Sequence, residues 1–538
     1  MKTKTIIITG IIIIGFLLLG FRDKETEEED EINLQALKFK YILEVAQKNY
    51  VDSLDIKKVS EAALAALVRE IDPQSSYFTA EQLKIANESH KGSSHGIGVN
   101  LVSLSDSLYI LSVVDNSPAD SAGIETGDKI LFINGENTYK MNTVDAQNIL
   151  NGEKGTKVNI IVRRGFSSSL QEYSLERKEV PLPSIDAAFI IPGTKTGYIL
   201  MNRFSDIADS EFAKSAELLI KKGMKQLILD LRNNPGGNLD CSAKIADEFF
   251  PNGKIVTYTK ATNPEYRLEY KSSKKNQLLL NTPLVVLLNA QSASASEALA
   301  GSIQDFDRGL IVGEPSFGKA TAQKLWNIKD GSGFSLTVAY YLTPSGRCIQ
   351  KIPIRDEAMP KLDPALGLTS DSSIKNQLEE VMKKTGGKTQ LPVFKTSKGR
   401  SVIGGGGIYP DYIVKSDTLT LLTKILQQRG IFVEYAFNYL NYDGKKIVSE
   451  YKNNMSEFVM KYKIDDTLLD DFVLFAKRKN VWNDIMFVTD KEYIRNFLKA
   501  VIAHDIWGNN GYSSVMLAQD AQMKRALEVM PEAEKMLK

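Results

Sequence analysis

The chain has 538 residues, of which 43% are hydrophobic and 25% charged, and its formal net charge is +1. That length exceeds one compact core and points to three or four domains of ordinary globular composition. The near-neutral balance excludes a nucleic-acid binder built on a dominant basic field. Three histidines and two distant cysteines, Cys241 and Cys348, leave a metal centre or a Ser-His-Asp triad poorly supplied.

The chain opens with MKTKTIIITGIIIIGFLLLGF. Two lysines precede an apolar run about as long as a short membrane helix, and no small-residue cleavage site or lipobox cysteine follows. Residues 1–22 therefore read as a signal anchor, with a cleaved signal peptide as the other reading. With the positive end inside, the bulk of the chain is exported. Residues 23–91 are read as the acidic spacer RDKETEEEDEIN followed by helices, among them KKVSEAALAALVREIDP, which ends at Pro73.

From Gly92 to about residue 166 short β-runs alternate with Gly, Asn and Asp turns, which predicts a small β-domain. Residues 167–414 alternate strands with helices: KTGYILMNRFS, DSEFAKSAELLIKKG, KQLILDLRNNPGG, TPLVVLLNA and SASEALAGSIQDF. That order implies right-handed crossovers and a largely parallel sheet. An insertion spans about 352–402. Residues 415–538 are helical and charged, with no evident catalytic constellation, and read as an accessory domain.

The stretch QSASASEALAGSIQDFDRGLIVGEPSFGKATAQ carries three serines, Ser292, Ser294 and Ser296, and one lysine, Lys319. Two readings compete. In the structural one, Ser294 with Glu297 forms a capping box, and the small residues let a helix pack closely on a sheet. In the chemical one, Ser294 sits at a strand-to-helix turn, where open α/β sheets place ligands, and the N–H of Ala295 points at a developing oxyanion. The glycines of DLRNNPGG offer a second N–H. Lysine is a poor base at its ordinary pKa, so a Ser–Lys site needs an apolar pocket to favour the neutral amine. Gln323, four residues on, is placed to orient it.

These motifs resemble those of the carboxyl-terminal processing (tail-specific) serine proteases. DPQSSYFTAEQL looks like that family's N-terminal helical motif and HGIGVNL…NSPADSAGIETGDKILFINGE like its PDZ domain. DLRNNPGGNLD looks like its oxyanion loop, and YYLTPSGRCIQ and GIYPD resemble later motifs. The resemblance spans residues 33–414. It implies a multidomain α/β fold: an α/β protease core of crotonase-like type with a largely parallel sheet, an inserted PDZ β-domain, and helical N- and C-terminal regions. By position, the nucleophile falls on Ser294, the base on Lys319 and the orienting glutamine on Gln323. The oxyanion donors fall on Ala295 and on Gly237 or Gly236, and Asp305 occupies a supporting position. Ser292 and Ser296 read as structural.

Gly96, Ile97, Gly98 and Val99 would present successive N–H groups to a terminal carboxylate, while the peptide adds a strand to the sheet edge. The resemblance thus implies an exported serine endopeptidase that cleaves polypeptides near their C-termini, without metal or other cofactor. Its partners would be polypeptides with a free C-terminus, a homo-oligomer or adaptor protein, and a membrane through the N-terminal segment. Its place would be a bacterial envelope, anchored in the inner membrane on the periplasmic side. The rival reading is a non-catalytic PDZ scaffold that binds protein C-termini. The long insertion and the C-terminal region depart from the family pattern.

Overall fold

The computed structural model describes residues 24–164, 169–273, 277–351, 392–441 and 444–538. The expected signal anchor and most of the insertion lie outside these residues. Among the described residues no helix is long and apolar enough to cross a membrane. The chain divides into two compact units, one of residues up to Ala80 with Leu325–Leu336, the other of Glu81–Lys324 with Thr337–Lys538.

The smaller unit contains the helices Lys24–Asn49 and Ile56–Ile71 and the strand Ser76–Phe78. The acidic stretch expected as a solvated spacer is helical, because glutamates are good helix formers and suit a helix N-terminus. Asp55 caps the second helix by accepting the Lys58 N–H at 3.0 Å. Ser76 pairs antiparallel with Ser335, and Trp326 stacks on Phe334 with ring centroids 5.6 Å apart.

In the larger unit, residues 93–181 form the β-domain. Its sheet runs in the order Val99–Leu104, Ser107–Val113, Lys129–Ile133, Lys157–Arg163, Leu170–Glu176. The last strand lies beyond the expected boundary at 166. Its exposed-buried alternation and polar sequence LQEYSLE suit a sheet edge and give a weak strand signal. Ser93–Gly96 and Lys178–Pro181 pair antiparallel where the chain enters and leaves this domain.

The second sheet of this unit orders Ile185–Ile190, Thr196–Met201, Gln226–Asp230, Leu284–Leu288, Leu310–Gly313 and Tyr412–Ile413. The first pair is antiparallel and the next four are parallel. The β-domain sheet is antiparallel, so pairing over the whole chain is mixed. LVVLL is buried at every position because the sheet is covered on both faces. On one face lie the helices Ala208–Lys221, Leu239–Ala246 and Ala295–Asp305, with Phe212, Ile245 and Leu299 in the core. On the other lies the last helix, Ala521–Met536, whose Met523, Ala526, Val529, Met530 and Ala533 pack on Phe189, Val285, Leu287 and Val312.

The C-terminal region is therefore not one accessory domain. Its helices from Leu421–Gln428 through Asp484–Met516 share a core of their own around Phe432, Phe472 and Leu498. The final helix instead completes the core of the sheet. The helical domain also meets the β-domain. Phe437 packs over Gly127, where an added Cβ would lie 2.0 Å from the ring, and Lys479 donates to Ser105 Oγ at 2.8 Å.

Candidate active site

The strand Leu284–Leu288 ends at a turn that leads into the helix Ala295–Asp305. Two of the three serines fasten that turn to the loop after Gln226–Asp230. Ser292 Oγ donates to Leu231 O at 2.8 Å, and Ser296 Oγ donates to Asn234 O at 3.0 Å. Both are buried and structural. Ser294, between them, is half-buried at the helix N-terminus with φ +56° and ψ −116°. A non-glycine residue held at positive φ is strained, and such strain collects at functional sites.

A glutamate holds that conformation. Glu297 is fully buried, and its carboxylate accepts four hydrogen bonds. Oε2 takes the Ser294 N–H at 2.8 Å and the Lys319 N–H at 2.9 Å. Oε1 takes the Gly318 N–H at 2.7 Å and the Ser316 hydroxyl at 2.5 Å. Burial pushes its pKa up, against the pull of those four donors, to about 7. Tyr341 makes a second clasp, its hydroxyl meeting both Ser294 O, at 2.9 Å, and Lys319 O. One carboxylate oxygen and one phenol thus hold the backbones of residues 294 and 319 side by side. The spacing S-x-x-E marked Glu297 as a cap, but nothing local marked its reach to residues 316–319.

Lys319 Nζ donates to Gln323 Oε1 at 3.1 Å, and Gln323 stands on the strand Thr321–Asn327. The apolar enclosure expected around the amine is not built by the described residues: Lys319 is half-buried and Gln323 is exposed. The loop presents them at the surface, with Phe317 exposed next to them.

The glycine loop lies against Ser294. A Cβ on Gly236, at φ +97°, would fall 2.7 Å from the Ser294 Cβ and 2.9 Å from the Ala295 nitrogen. The Gly236 N–H, however, donates to Asn234 Oδ1 at 2.9 Å. That corrects the expectation that it serves as an oxyanion donor, and Gly236 acts by close approach instead. Among the described residues the N–H groups of Gly237 and Ala295 have no hydrogen-bond partner. Gly237, at φ +139°, is pressed against Phe204 O, so no side chain fits there.

The base of the loop is ionic. Arg232 lies between Asp230, at 2.5 Å, and Asp520, at 2.6 Å, and Tyr198 donates to Asp230 at 2.7 Å. Asp305 stands at the far end of the site helix, roughly 16 Å from Ser294 at about 1.5 Å per residue. It pairs with the fully buried Arg347 at 2.7 Å and accepts the Ser345 N–H at 2.9 Å. Its support is therefore to the packing of the helix, without contact to Ser294.

Gly96, Ile97, Gly98 and Val99 belong to the β-domain and share no hydrogen bond with the Ser294 cluster among the described residues. Ile97 O accepts the Ala119 N–H and Gly98 O the Val114 N–H, each at 2.9 Å. The loop is thereby pinned by its carbonyls. Gly98 has φ +82°, and a Cβ there would meet Ser117 Cβ at 2.2 Å. Val99–Leu104 is the edge strand of its sheet and lies beside the helix Thr143–Leu150. An edge strand next to a helix is the groove that an added peptide strand fills.

Residues 195–358 match peptidase family S41, and residues 109–164 match a PDZ domain. Residues 422–508 match a family of unknown function (DUF8443). A probable CtpA-like serine protease of Staphylococcus aureus (strain N315) is 31% identical over 348 residues, covering 64% of this chain and 68% of the relative. A carboxyl-terminal-processing protease of Picosynechococcus sp. is 37% identical over 294 residues, covering 54% and 70%. The solved photosystem II D1 C-terminal processing protease overlaps 58% of this chain and 89% of its own at 25% identity. Its TM-score is only 0.31, too low to bear on the argument.

Proposed function

Because the chain belongs to peptidase family S41 and is a serine peptidase with a PDZ domain, we propose that it cleaves polypeptides near their C-termini by a Ser294–Lys319 mechanism. The observation that carries the reading is the single Glu297 oxygen that accepts the N–H of both residues. The neutral Lys319 amine takes the proton of Ser294 as Oγ attacks the scissile carbonyl. The N–H groups of Gly237 and Ala295 receive the oxyanion. Collapse expels the amine, which leaves with the proton from Lys319, and water then hydrolyses the acyl-enzyme through the same steps. Gln323 orients the amine. A polypeptide laid over the half-buried lysine supplies the desolvation that the loop alone does not, and this favours the neutral base.

The PDZ groove takes the substrate's free carboxylate at residues 96–99. The crotonase-like assignment of the core, export to a bacterial envelope, an inner-membrane anchor and a homo-oligomeric or adaptor partner belong to the same reading. They rest on the sequence features of residues 1–22 and on the family resemblance. A non-catalytic scaffold has no support from the family.

The test compares an apolar-tailed polypeptide with its C-terminal amide. The free acid should be cut about 10-fold faster, mostly through a lower KM, since one carboxylate held by backbone N–H groups is worth roughly 1.5–3 kcal/mol. Gly98→Ala, strained at its positive φ, should abolish that preference while leaving kcat on a short chromogenic peptide unchanged. Equal rates for acid and amide would remove the PDZ groove from substrate selection.

A further inference from the structure

The oxyanion loop is anchored from outside the matched peptidase region. Arg232, one turn of chain before the glycines, sends its Nη1 to Asp520 Oδ2 at 2.6 Å and to Gln522 Oε1 at 3.0 Å. Its Nε and Nη2 are bound to Asp230. Asp520 is the N-cap of the last helix: its Oδ1 accepts the N–H of Gln522 at 2.8 Å and of Met523 at 3.0 Å. Gln522 is fastened in turn, donating to Val414 O at 2.8 Å. That helix lies on the same sheet whose strands end at the loop and at Ser294.

We propose that Asp520 is a positioning residue for the peptidase reaction: through Arg232 it holds the loop that presents the Gly237 N–H. The inference rests on the Ser294 mechanism given above and extends it to the C-terminal helix. The loop needs such an anchor. Positive φ at Asn233 (+60°) is costly for a non-glycine residue, while Gly236 (+97°) and Gly237 (+139°) are free to take other conformations, so side-chain contacts have to select this one. Asn289 pins it at Asn233, where Oδ1 accepts the N–H at 2.9 Å. Arg232 pins it at its start, and Asp520 supplies the second carboxylate that keeps the guanidinium from swinging about Asp230. The pair is largely removed from water, with side-chain exposures of 18% and 20%, so it is far less screened than a surface ion pair. Asp520 follows the region that matches a family of unknown function, residues 422–508: the helical stretch Asp484–Met516, kinked at Gly508, ends with only Leu517, Ala518 and Gln519 between it and Asp520.

The two oxygens of Asp520 separate its two duties. Asp520→Asn keeps a side-chain oxygen to cap the helix but turns an amide toward Arg232, and Asp520→Ser keeps a cap but cannot reach. On a short chromogenic peptide, both variants of the full chain should lose about 10- to 100-fold in kcat, with KM within about twofold. Removing an oxyanion donor outright costs about 10²–10³, and here the donor is displaced but not deleted. Affinity for a peptide aldehyde, which adds Ser294 Oγ–H across its carbonyl and places the new oxygen in the same hole, should fall by the same factor. Binding of a C-terminal peptide to the PDZ groove should be unchanged.

Wild-type kcat and aldehyde affinity in either variant would overturn the proposal. So would a loss that vanishes when rates are normalised to folded protein, or one confined to KM. Ser294→Ala run in parallel separates the two levels: if it stays active, the underlying mechanism has failed and not the Asp520 inference.

Discussion

Ser294→Ala and Lys319→Arg should each lower kcat on a short chromogenic peptide by at least about 10³-fold, with little change in thermal midpoint. Losing one member of a serine-peptidase nucleophile–base set costs about 10⁴- to 10⁶-fold in kcat, and this sets the expected scale. Both side chains are only half-buried, and the contacts that hold the two residues together run through their backbones. Truncating or exchanging the side chains therefore leaves the clasp of Glu297 and Tyr341 in place. Arginine is the sharper probe. It keeps a cation beside Gln323, whose exposed position leaves room for the larger head. A guanidinium remains charged at any usable pH and accepts no proton from a serine. If Lys319→Arg kept more than about a tenth of the wild-type kcat, Lys319 would not be the base.

Short-range patterns in the sequence read correctly, and long-range contacts did not. LVVLLNA followed by small residues signals a buried strand entering a tightly packed helix, and the structure has both. Ser292 and Ser296, read as structural, do fasten the turn to the neighbouring loop. The family resemblance put the loop donor on Gly237 ahead of Gly236, but the reason lies in the structure, where the Gly236 N–H is spent on the Asn234 side chain two residues away. The last helix shows apolar residues at 523, 526, 529, 530 and 533, a clear helical stripe. Its main targets in the sheet, Phe189, Val285, Leu287 and Val312, lie more than 200 residues earlier and leave no trace in that stripe. The enclosure expected around Lys319 came from what a lysine base requires, and the described residues leave Lys319 half-buried beside an exposed Gln323. Glu297 was read only in part: its capping contact with Ser294 is local and is present, but three of its four donors lie 19–22 residues downstream.

Glu297→Ala should lower kcat by about 10³-fold and stability by several kcal/mol, whereas Glu297→Gln should retain about 1–10% of kcat. Alanine leaves four donors at a buried position without an acceptor, at about 1–3 kcal/mol each where water does not enter. Glutamine keeps the shape, but its amide nitrogen must face one pair of donors. The cheaper orientation turns it toward Ser316, whose hydroxyl can rotate, and keeps an oxygen for Ser294 and Lys319. Protonation of the wild-type carboxylate creates the same conflict, so part of the rate should be lost as pH falls through about 7. Stability runs the other way. The folded pKa is raised from 4.5, so this group favours folding when protonated. Its contribution is complete below pH 4.5 and declines as pH rises toward 7. The midpoint difference between wild type and Glu297→Gln should therefore shrink from pH 4.5 to 7 while the wild-type rate climbs. A difference constant over that range, or an acidic limb unchanged in Glu297→Gln, would show that Glu297 is ionised throughout and that its four donors outweigh its burial.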